Sequence, residues 1–329
     1  MRGFFISKNY ADQFTASSKA KCDCEDILLN LGLKNIGLSR KFFTKKIFGI
    51  NIGRLYSIMS YIKAMLFMPK NSVCYIQFPT AFEHKLIDIA KRRKNKVVAI
   101  IHDINSLREN LELSSLKMIE KADFLIVHTE NMKNLISEVY PNKRIFSLGC
   151  FDYLLDEKKI NLKSQVDDKI LFAGNLGKSY FLKDVDIDMN LYGIGFDEKL
   201  FSKKLEYKGC FHPSVLPSNL NGKWGLVWDG TSTETCDGML GEYLKFIAPH
   251  KFSLYIACEI PVIVWNKSAM ADYVVSNQIG ICVEDLKEDL YRKISSINYE
   301  DILTNVKQLA KIIRVGKHLE NIVMEIEKC

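Results

Sequence analysis

One segment of the sequence is suited to hold an anionic group. In KILFAGNLGKS, residues 169–179, an apolar run typical of a buried strand leads into Gly174, Asn175 and Lys178. Small residues there let backbone amides approach an anion, and the lysine supplies a positive charge. The segment lacks both the GxGxxG dinucleotide fingerprint and the GxxxxGK(S/T) phosphate loop, so it indicates neither an NAD enzyme nor a P-loop NTPase. A Gly-Asn turn that only closes the strand is the alternative.

A second segment, residues 225–265, places basic residues at the predicted start of a helix. A strand ends at Asp229, a long polar loop with glycines follows, and a helix begins near Pro249, His250 and Lys251. Long loops inside compact domains are usually functional. Proline favours the first helical turn, and the free amides of that turn attract anions. We therefore expect His250 and Lys251 to bind a pyrophosphate; two exposed first-turn residues are the alternative.

Candidates for acid–base chemistry end the strand KVVAIIHD. His102 and Asp103 stand there, and a carboxylate at that position can take a proton from a hydroxyl group. An aspartate that only caps the next helix is the alternative. In the loop after the first strand, Thr15, Ser17 and Ser18 place small hydroxyls at a helix start, where capping accounts for at least one of them.

The sequence indicates no metal site. Asp184, Asp186 and Asp188 in DVDID offer a DxD of the kind that chelates a divalent ion beside a diphosphate. They directly precede a predicted strand, which favours a solvated loop with local turn hydrogen bonds. Cys22 and Cys24 form a CxC with no second Cys or His pair nearby at ligand spacing.

Short apolar runs alternate with helical patterns along the chain. This alternation predicts βαβ units and mostly parallel sheets with both faces covered. The predicted strands are 3–7, 72–78, 96–102, 123–129, 143–148, 169–175, 189–195, 205–211, 223–230, 261–266 and 279–285.

The polar segment 156–168 interrupts this alternation and predicts a domain linker. We expect an N-terminal domain over 1–155, a second over 156–312, and a C-terminal helix over 313–329 that crosses back to the first. The fold class is α/β with two doubly wound domains. The carboxyl ends of their sheets then face each other across a cleft, where ligands of such sheets bind.

Basic charge is concentrated in the first half of the chain. The net charge is +7, and residues 1–150 hold 24 basic and 13 acidic residues. Residues 27–82 contain no carboxylate and eight basic residues, interleaved with apolar and aromatic ones. Such a segment suits an anionic membrane surface. Nucleic acid is not indicated, because neither a recognition motif nor a patterned aromatic stacking platform is present.

Within this segment, apolar residues at helical spacing predict an amphipathic helix. They are Leu55, Ile58, Met59, Ile62, Met65 and Leu66. We expect this face to pack on the sheet, with Lys63 in solvent. Contact with a membrane or with an acceptor is the alternative.

Cysteine usage and hydropathy indicate a cytoplasmic protein. The nine cysteines are odd in number and lie mostly inside apolar runs, as expected of reduced core residues. No apolar stretch has the length of a membrane span, and the first residues lack the cleavage site of a signal peptide. We expect a protein that is soluble or peripheral on the inner face of the cytoplasmic membrane.

Taken in order, these segments resemble a known family. GNLGKS, GLVWDG, ETCDG, EYLKFIAPHKFSLYIACEIPVIVW and IHDI are similar to segments of the bacterial β-1,6-galactofuranosyltransferases of O-antigen assembly. A more distant resemblance is to the glucosyltransferases that extend glycans on streptococcal serine-rich adhesins. The resemblance covers nearly the whole chain and is most specific over 223–280. It implies a GT-B fold, two Rossmann-like domains facing across a cleft, with a UDP-sugar in the second and no metal requirement.

The same resemblance implies roles for individual residues. Lys178 contacts the donor diphosphate, and His250 and Lys251 stand at the helix start that binds it. Lys178 departs from relatives that often have Arg, and Glu259 from distant relatives that have Gly, so the donor sugar stays open. The donor-binding candidates are Thr15, Gly174, Asn175, Lys178, Asp229, Tyr243, His250 and Lys251.

We expect an inverting, metal-independent transfer in which Asp103, or alternatively His102, activates the acceptor hydroxyl. The expected donor is UDP-galactofuranose, a co-substrate with no further cofactor. The acceptor is a glycan in O-antigen or other surface polysaccharide assembly, with lipid-linked acceptors common in the family. Three alternatives remain: UDP-glucose or UDP-galactopyranose transfer to a protein-linked or lipid-linked glycan, a non-catalytic nucleotide-sugar-binding partner subunit, and a UDP-sugar epimerase. The oligomeric state stays open, a homo-oligomer included.

Overall fold

The computed structural model divides the chain into two compact units. It describes residues 3–7, 16–39, 46–47, 50–80, 82–104, 117–156, 162, 166–199 and 201–329. Unit 1 comprises Met1–Leu148 together with His318–Cys329, and unit 2 comprises Gly149–Lys317. The predicted linker 156–168 lies mostly outside the described residues.

The apolar runs of the first half form the strands of unit 1. These strands are β1 (Gly3–Phe5), β2 (Lys34–Asn35), β3 (Lys46–Ile47), β4 (Ile50–Asn51), β5 (Val73–Phe78), β6 (Lys96–Ile101), β7 (Phe124–Val127) and β8 (Arg144–Ser147). Six of them make a parallel sheet in the order β2-β1-β5-β6-β7-β8, and β3 pairs with β4 in a separate antiparallel pair. Strands β6 and β7 are buried along almost their whole length, as expected of a sheet covered on both faces.

Helices connect these strands. They are α1 (Ala16–Asn30), α2 (Gly53–Phe67), α3 (Glu83–Arg92), α4 (Lys117–Lys121) and α5 (Glu130–Val139). Helix α3 shows the usual amphipathic arrangement, because it buries Leu86, Ile87 and Ala90 and leaves its charged residues outside. Thr129 caps α5, its hydroxyl oxygen accepting from the N–H of Met132 at 3.2 Å.

Helix α2 does not pack as the sequence predicts. Leu55, Ile58, Met59, Ile62 and Leu66 are exposed, whereas the residues turned inward include Ser60, Tyr61 and Ala64. The prediction that the apolar face packs on the sheet is therefore wrong. Hydrophobic periodicity locates an apolar face but does not determine which side of the helix the sheet covers.

The second half of the chain forms unit 2. Its strands are β9 (Ile170–Ala173), β10 (Met189–Tyr192), β11 (Leu205–Gly209), β12 (Trp224–Val227), β13 (Val262–Trp265) and β14 (Gly280–Val283). Its helices are α6 (Leu216–Asn219), α7 (Gly238–Tyr243), α8 (His250–Ala257), α9 (Ala271–Asn277), α10 (Glu288–Ser295) and α11 (Tyr299–Ile313). The last helix, α12 (Lys317–Glu327), belongs to unit 1 except for its first residue. Every predicted strand is confirmed within a few residues. The short strands β2, β3 and β4 have no apolar run and were not predicted.

The order of the strands in unit 2 creates one special position. The sheet runs β11-β10-β9-β12-β13-β14 with all strands parallel. Strands β9, β10 and β11 follow each other in one direction, and β12, β13 and β14 follow in the other. The direction in which successive strands are added to the sheet therefore reverses between β9 and β12, although all strands stay parallel. Ligands of open α/β sheets bind beside the carboxyl ends of the strands at such a reversal.

Tyr255 of helix α8 fixes that helix to the sheet. Its hydroxyl oxygen accepts the N–H of Ala173 in β9 at 2.8 Å, and its ring fills the space that Gly225 of β12 leaves open. Full burial raises the pKa of Tyr255, so the neutral hydroxyl is held in the core. This contact places the start of α8 over the junction of β9 and β12.

Among the helices within the described ranges, none combines the length and the hydrophobicity that crossing a membrane requires.

Candidate active site

The loop after β9 rests on the loop after β10. The N–H of Gly174 donates to the carbonyl of Tyr192 at 2.9 Å, and the N–H of Leu176 donates to the carbonyl of Ile194 at 2.8 Å. Gly193 has φ +131°, and a Cβ there would lie 1.8 Å from the carbonyl oxygen of Gly174. Only glycine allows this approach. The backbone of the β9 loop is therefore held in one position.

This loop presents polar side chains at the carboxyl end of the sheet. Asn175 precedes a short 3₁₀ turn over Leu176–Lys178, and the side chains of Asn175 and Lys178 are both exposed. The carbonyl of Asn175 accepts from the hydroxyl of Ser179 at 3.0 Å, which closes the turn. The amides and the cation that the sequence predicted for this segment thus lie beside the reversal between β9 and β12.

Lys251 joins the two strand ends. Its Nζ donates to the carbonyl of Trp228 at 3.1 Å and to Asp229 Oδ2 at 3.2 Å, and it lies 4.3 Å from the centroid of the Phe172 ring. Trp228 and Asp229 follow β12, whereas Phe172 belongs to β9. The lysine side chain is only 13% exposed, so its charge is held in a partly dry environment. A cation fixed in this way exerts a stronger field than one in solvent.

Gly174 leaves room for this lysine. A Cβ on Gly174 would lie 4.0 Å from Lys251 Nζ, so the backbone of the β9 loop passes directly beside the ammonium group. Lys251 is the second residue of α8, after Pro249 and His250 at the helix start. The unpaired amides of a helix N-terminus carry partial positive charge. Lys251, the start of α8 and the loop after β9 that begins at Gly174, which we call the glycine loop, together form a region of positive potential. We call this region the Lys251 corner.

His250 packs against an aromatic ring of the same unit. Its ring centroid lies 5.0 Å from that of Tyr153, with the planes tilted by 38°. Tyr153 is buried, and its hydroxyl donates to the carbonyl of Pro213 at 3.4 Å. The ring of His250 is therefore positioned by packing, while its backbone stands at the start of α8.

The loop between β12 and α8 is organised by one aspartate. Asp237 Oδ1 accepts the N–H of Thr231 at 2.5 Å, and Oδ2 accepts the hydroxyl of Thr231 at 2.8 Å. Gly230 has φ +119°, and a Cβ there would lie 2.6 Å from Asp237 Oδ1. The bond from the Thr231 N–H is the main cause that lowers the pKa of Asp237. Asp237 thus folds the loop back on itself directly after Asp229.

The candidate base lies in a hydrogen-bonded chain of unit 1. His102 Nε2 is 2.6 Å from Gln77 Oε1, and Gln77 Nε2 donates to the carbonyl of Lys21 at 3.2 Å. Because a backbone carbonyl only accepts, the amide nitrogen of Gln77 faces Lys21 and its oxygen faces His102. His102 Nε2 therefore donates its proton to this oxygen. Asp103, the next residue, is half-buried.

A second polar pair lies at the carboxyl end of β1. The hydroxyl of Ser7 donates to Glu25 Oε2 at 2.8 Å, and the N–H of Ser7 donates to Asn35 Oδ1 at 3.1 Å. Glu25 belongs to α1 and is buried. In the sheet of unit 1, the direction in which successive strands are added also reverses here, between β1 and β5.

Comparison with known proteins identifies the family. Residues 3–150 match the N-terminal domain, and residues 170–326 the C-terminal domain, of the glucosyltransferase 3-like family. The beta-1,6-galactofuranosyltransferase WbbI of Escherichia coli is 31% identical, with 98% of each chain covered. The chain belongs to the glucosyltransferase 3-like family.

Other relatives agree with this family and show its fold. Glucosyltransferase 3 of Streptococcus parasanguinis is 22% identical, with 91% of this chain and 90% of the relative covered. A solved glycosyltransferase involved in avilamycin A biosynthesis superposes with a TM-score of 0.58 at 10% identity, covering 100% of this chain and 98% of the other. This glucosyltransferase 3-like chain is a glycosyltransferase with the GT-B fold, as the sequence resemblance implied.

The structure brings together part of the predicted donor set of this family member. Three of these residues lie together beside the carboxyl ends of β9 and β12: Gly174, Asp229 and Lys251. The same loop continues from Gly174 to Asn175 and Lys178. Tyr243 is buried in α7, and Thr15 lies outside the described residues. The donor roles of these residues stay predictions.

Two residues that hold these candidates in place were not predicted from the sequence. Asp237 organises the loop between β12 and α8, and Gln77 orients His102. The signal for Gln77 was a lone amide inside the apolar strand VCYIQF, and that for Asp237 was the DG pair after a cysteine. Neither signal indicates which group the side chain bonds to, because the hydrogen-bond partners are backbone groups or residues elsewhere in the sequence.

Two further expectations can be compared with the structure. Asp184, Asp186 and Asp188 are exposed, and Asp186 and Asp188 directly precede β10, at the amino end of a strand and not at the carboxyl end where Lys251 lies. Within the described part of the chain, no three His, Cys, Asp or Glu side chains are grouped as metal ligands.

Glu259 follows α8 with φ +60°, a conformation that glycine favours, and Arg314 Nη2 donates to its carboxylate at 2.8 Å. That departure from distant relatives lies at the end of α8 away from Lys251.

Replacing Gly193 by alanine tests the packing of the two loops. We expect Gly193→Ala to lower the free energy of unfolding of unit 2 by about 2–4 kcal/mol, because the Cβ would overlap the Gly174 carbonyl at an unfavourable φ. Urea unfolding followed by tryptophan fluorescence measures it, since all three tryptophans lie in unit 2. Gly238→Ala is the matched control: its φ is +64° but no atom lies within 4 Å of the added Cβ. Equal losses in the two variants would contradict the close approach.

Proposed function

We propose that this protein transfers a hexose from a UDP-sugar to a hydroxyl group of an acceptor glycan, with inversion at the anomeric carbon. The observation that carries the proposal is the position of Lys251, which contacts the carboxyl ends of β9 and β12 and stands at the start of α8. This corner combines a fixed cation, helix amides and a glycine loop. A diphosphate group is the ligand that such a combination suits best.

The donor residues act mainly on the leaving group. As the bond between the anomeric carbon and the phosphate oxygen breaks, UDP leaves with the bonding electrons and negative charge grows on its β-phosphate. We propose that Lys251, Lys178 and the α8 amides at His250 stabilise this charge. Groups that are already oriented toward the developing charge lower the barrier without reorganising. In this scheme the cations do the work of a divalent metal, so we propose a metal-independent reaction.

Asp229 has a different part in this proposal. Its carboxylate pairs with Lys251 Nζ, and together with the Trp228 carbonyl it fixes the direction of the ammonium group. Asp229 is thus a positioning residue for the cation. Its remaining oxygen can accept a hydrogen bond from a sugar hydroxyl of the donor.

The acceptor hydroxyl needs a base. We propose Asp103, with His102 as the alternative, because both directly follow β6 at the carboxyl end of the sheet and Gln77 fixes the orientation of the His102 ring. The base removes the hydroxyl proton while the oxygen attacks the anomeric carbon from the face opposite to UDP. A positioned base of this kind typically contributes 10²–10⁴-fold to a rate.

The donor is proposed to be UDP-galactofuranose, and the acceptor a glycan of O-antigen or another surface polysaccharide, carried on a lipid. This proposal rests on the 31% identity with the E. coli beta-1,6-galactofuranosyltransferase. Transfer from UDP-glucose is the second candidate, favoured by the family description and by the streptococcal relative. Discrimination between these sugars depends on contacts with one or two hydroxyl groups.

A transfer assay distinguishes the two donors. Purified protein is incubated with a galactose- or glucose-terminated oligosaccharide acceptor and with UDP-galactofuranose, UDP-galactopyranose or UDP-glucose, each with and without EDTA. We expect the highest kcat/KM with UDP-galactofuranose and no loss with EDTA. A preference for UDP-glucose selects the second candidate, release of free sugar or an epimerised donor without acceptor contradicts transfer, and loss with EDTA contradicts metal independence.

Substitution of the candidate bases tests the mechanism. We expect Asp103→Asn to lower kcat by about 10²–10⁴-fold while the dissociation constant of UDP stays unchanged, because the base acts on the acceptor and not on the donor. His102→Asn is measured in parallel. If His102→Asn alone produces the loss, His102 is the base. If neither variant lowers kcat, the assignment of the base to the end of β6 is wrong.

A further inference from the structure

The outward face of helix α2 is more apolar than its inward face. Every exposed position of the helix whose side chain the structure describes is a large apolar residue, apart from Lys63. The six apolar side chains are between 42% and 72% exposed. They are Leu55, Ile58, Met59, Ile62, Leu66 and Phe67, and we call this set the α2 face.

The inward side of α2 is held by polar contacts. Ser60 Oγ accepts the N–H of Leu38 at 2.9 Å, and the hydroxyls of Tyr61 and Thr80 lie 2.7 Å apart. The exposed Lys63 adds a contact at the margin of this side, because its Nζ donates to the carbonyl of Gly37 at 3.0 Å. These contacts fix the rotation of the helix about its axis. The α2 face is therefore presented outward by the fold itself.

The α2 face is a contiguous stripe. Five of its residues, Leu55 to Leu66, recur at intervals of three and four over a helix about 22 Å long, so they follow one side of it, and Phe67 extends the apolar surface at the last turn. Other exposed apolar residues, such as Val275, Val315 and Met239, are scattered over different elements. Proteins that do not bind a partner rarely expose large contiguous apolar patches, so this stripe indicates an interaction surface.

Charge indicates what the partner is. Residues 27–82 hold eight basic residues and no carboxylate. Lys63 lies on the helix and Lys70 is exposed just after it, while the guanidinium of Arg93 donates to the carbonyl of Leu66 at 3.0 Å and to that of Met68. Cations thus accompany the apolar stripe along the helix and beyond its end. The partner must offer an apolar interior and an anionic surface.

A second copy of this chain fits this charge poorly. A two-fold symmetric pair would set the same face of each copy against the other and bring the same cations together. An anionic bilayer meets both requirements, because acyl chains take up apolar side chains and the headgroups attract lysine and arginine. A helix of about 22 Å is shorter than the hydrocarbon core of about 30 Å, so it suits the plane of the interface.

We propose that the α2 face inserts into the surface of an anionic phospholipid membrane, with helix α2 parallel to the bilayer plane. This proposal is independent of the donor sugar, since it needs no nucleotide and no acceptor. It would hold the glycosyltransferase at the surface where a lipid-linked acceptor is found. The insertion is peripheral and reversible, because one amphipathic helix without a lipid anchor supplies limited apolar area.

Flotation with lipid vesicles tests the proposal. Full-length protein is mixed with vesicles of phosphatidylcholine and phosphatidylglycerol in a 3:1 ratio, or of phosphatidylcholine alone, at 0.05 M and 0.5 M NaCl. We expect binding to the anionic vesicles that weakens at high salt, because salt screens the headgroup attraction. Failure of the wild-type chain to float with anionic vesicles at low salt overturns the proposal.

A four-residue variant tests the face itself, and a matched variant controls for lost hydrophobicity. The test substitutions are Leu55→Ser, Met59→Ser, Ile62→Ser and Leu66→Ser. The control substitutions, at exposed apolar positions of other elements, are Val275→Ser, Ile312→Ser, Val315→Ser and Met324→Ser. We expect vesicle affinity to fall more than about tenfold in the test variant and to stay unchanged in the control. Equal affinities in the two variants overturn the proposal.

Two further measurements keep the result unambiguous. Light scattering compares the mass of the wild type and the test variant: an oligomer that becomes a monomer, without vesicle binding by either, assigns the face to a second copy and overturns the proposal. Met59→Trp adds an exposed indole, and we expect its emission to shift to shorter wavelength with anionic vesicles, whereas Val275→Trp should not shift. UDP affinity measured on the same samples reports the donor site separately.

Discussion

The architecture of the candidate site in unit 2 depends on the contact of Lys251 with two strand ends. The ammonium group touches the Phe172 ring of β9 and the Trp228 carbonyl and Asp229 carboxylate after β12. These strands are neighbours at the position where the sheet reverses its direction. A partly buried cation needs such partners, because an unpaired charge away from solvent is costly. The same partners leave the cation beside the glycine loop, where an anion can approach.

The surrounding residues can be understood as support for this contact. Tyr255 fixes helix α8 to β9 and β12, so that Lys251 extends from a rigid element. Gly193 allows the β9 loop to rest on its neighbour, and Asp237 folds the loop that follows Asp229. Unit 1 shows a comparable arrangement, in which Gln77 connects α1, β5 and His102. In both units the polar groups lie at the carboxyl ends of parallel strands.

Much of the fold could be predicted because its signals are local. Buried parallel strands consist of apolar runs such as KVVAIIH and KILFA, and Pro249 marks the start of α8. The pairing of Lys251 with Asp229 was not predicted, because it depends on the strand order and not on spacing. Helix α2 was predicted with its apolar face inward, which is wrong. Its orientation is determined by Ser60, Tyr61 and Lys63, whose partners lie elsewhere in the chain.

Calorimetric titration of UDP tests the central claim most directly. We expect the wild-type chain to bind UDP in the presence of EDTA and Lys251→Met to weaken binding by at least about tenfold, the effect of losing a charged hydrogen bond. Lys287→Met, which removes an exposed lysine paired with Glu234 in the same unit, should leave the affinity unchanged. Asp229→Asn keeps the Lys251 ammonium group and removes the carboxylate that positions it, so this variant separates the effect of positioning from the effect of the charge. Unchanged affinity in Lys251→Met, or no UDP binding by the wild type, would contradict the account.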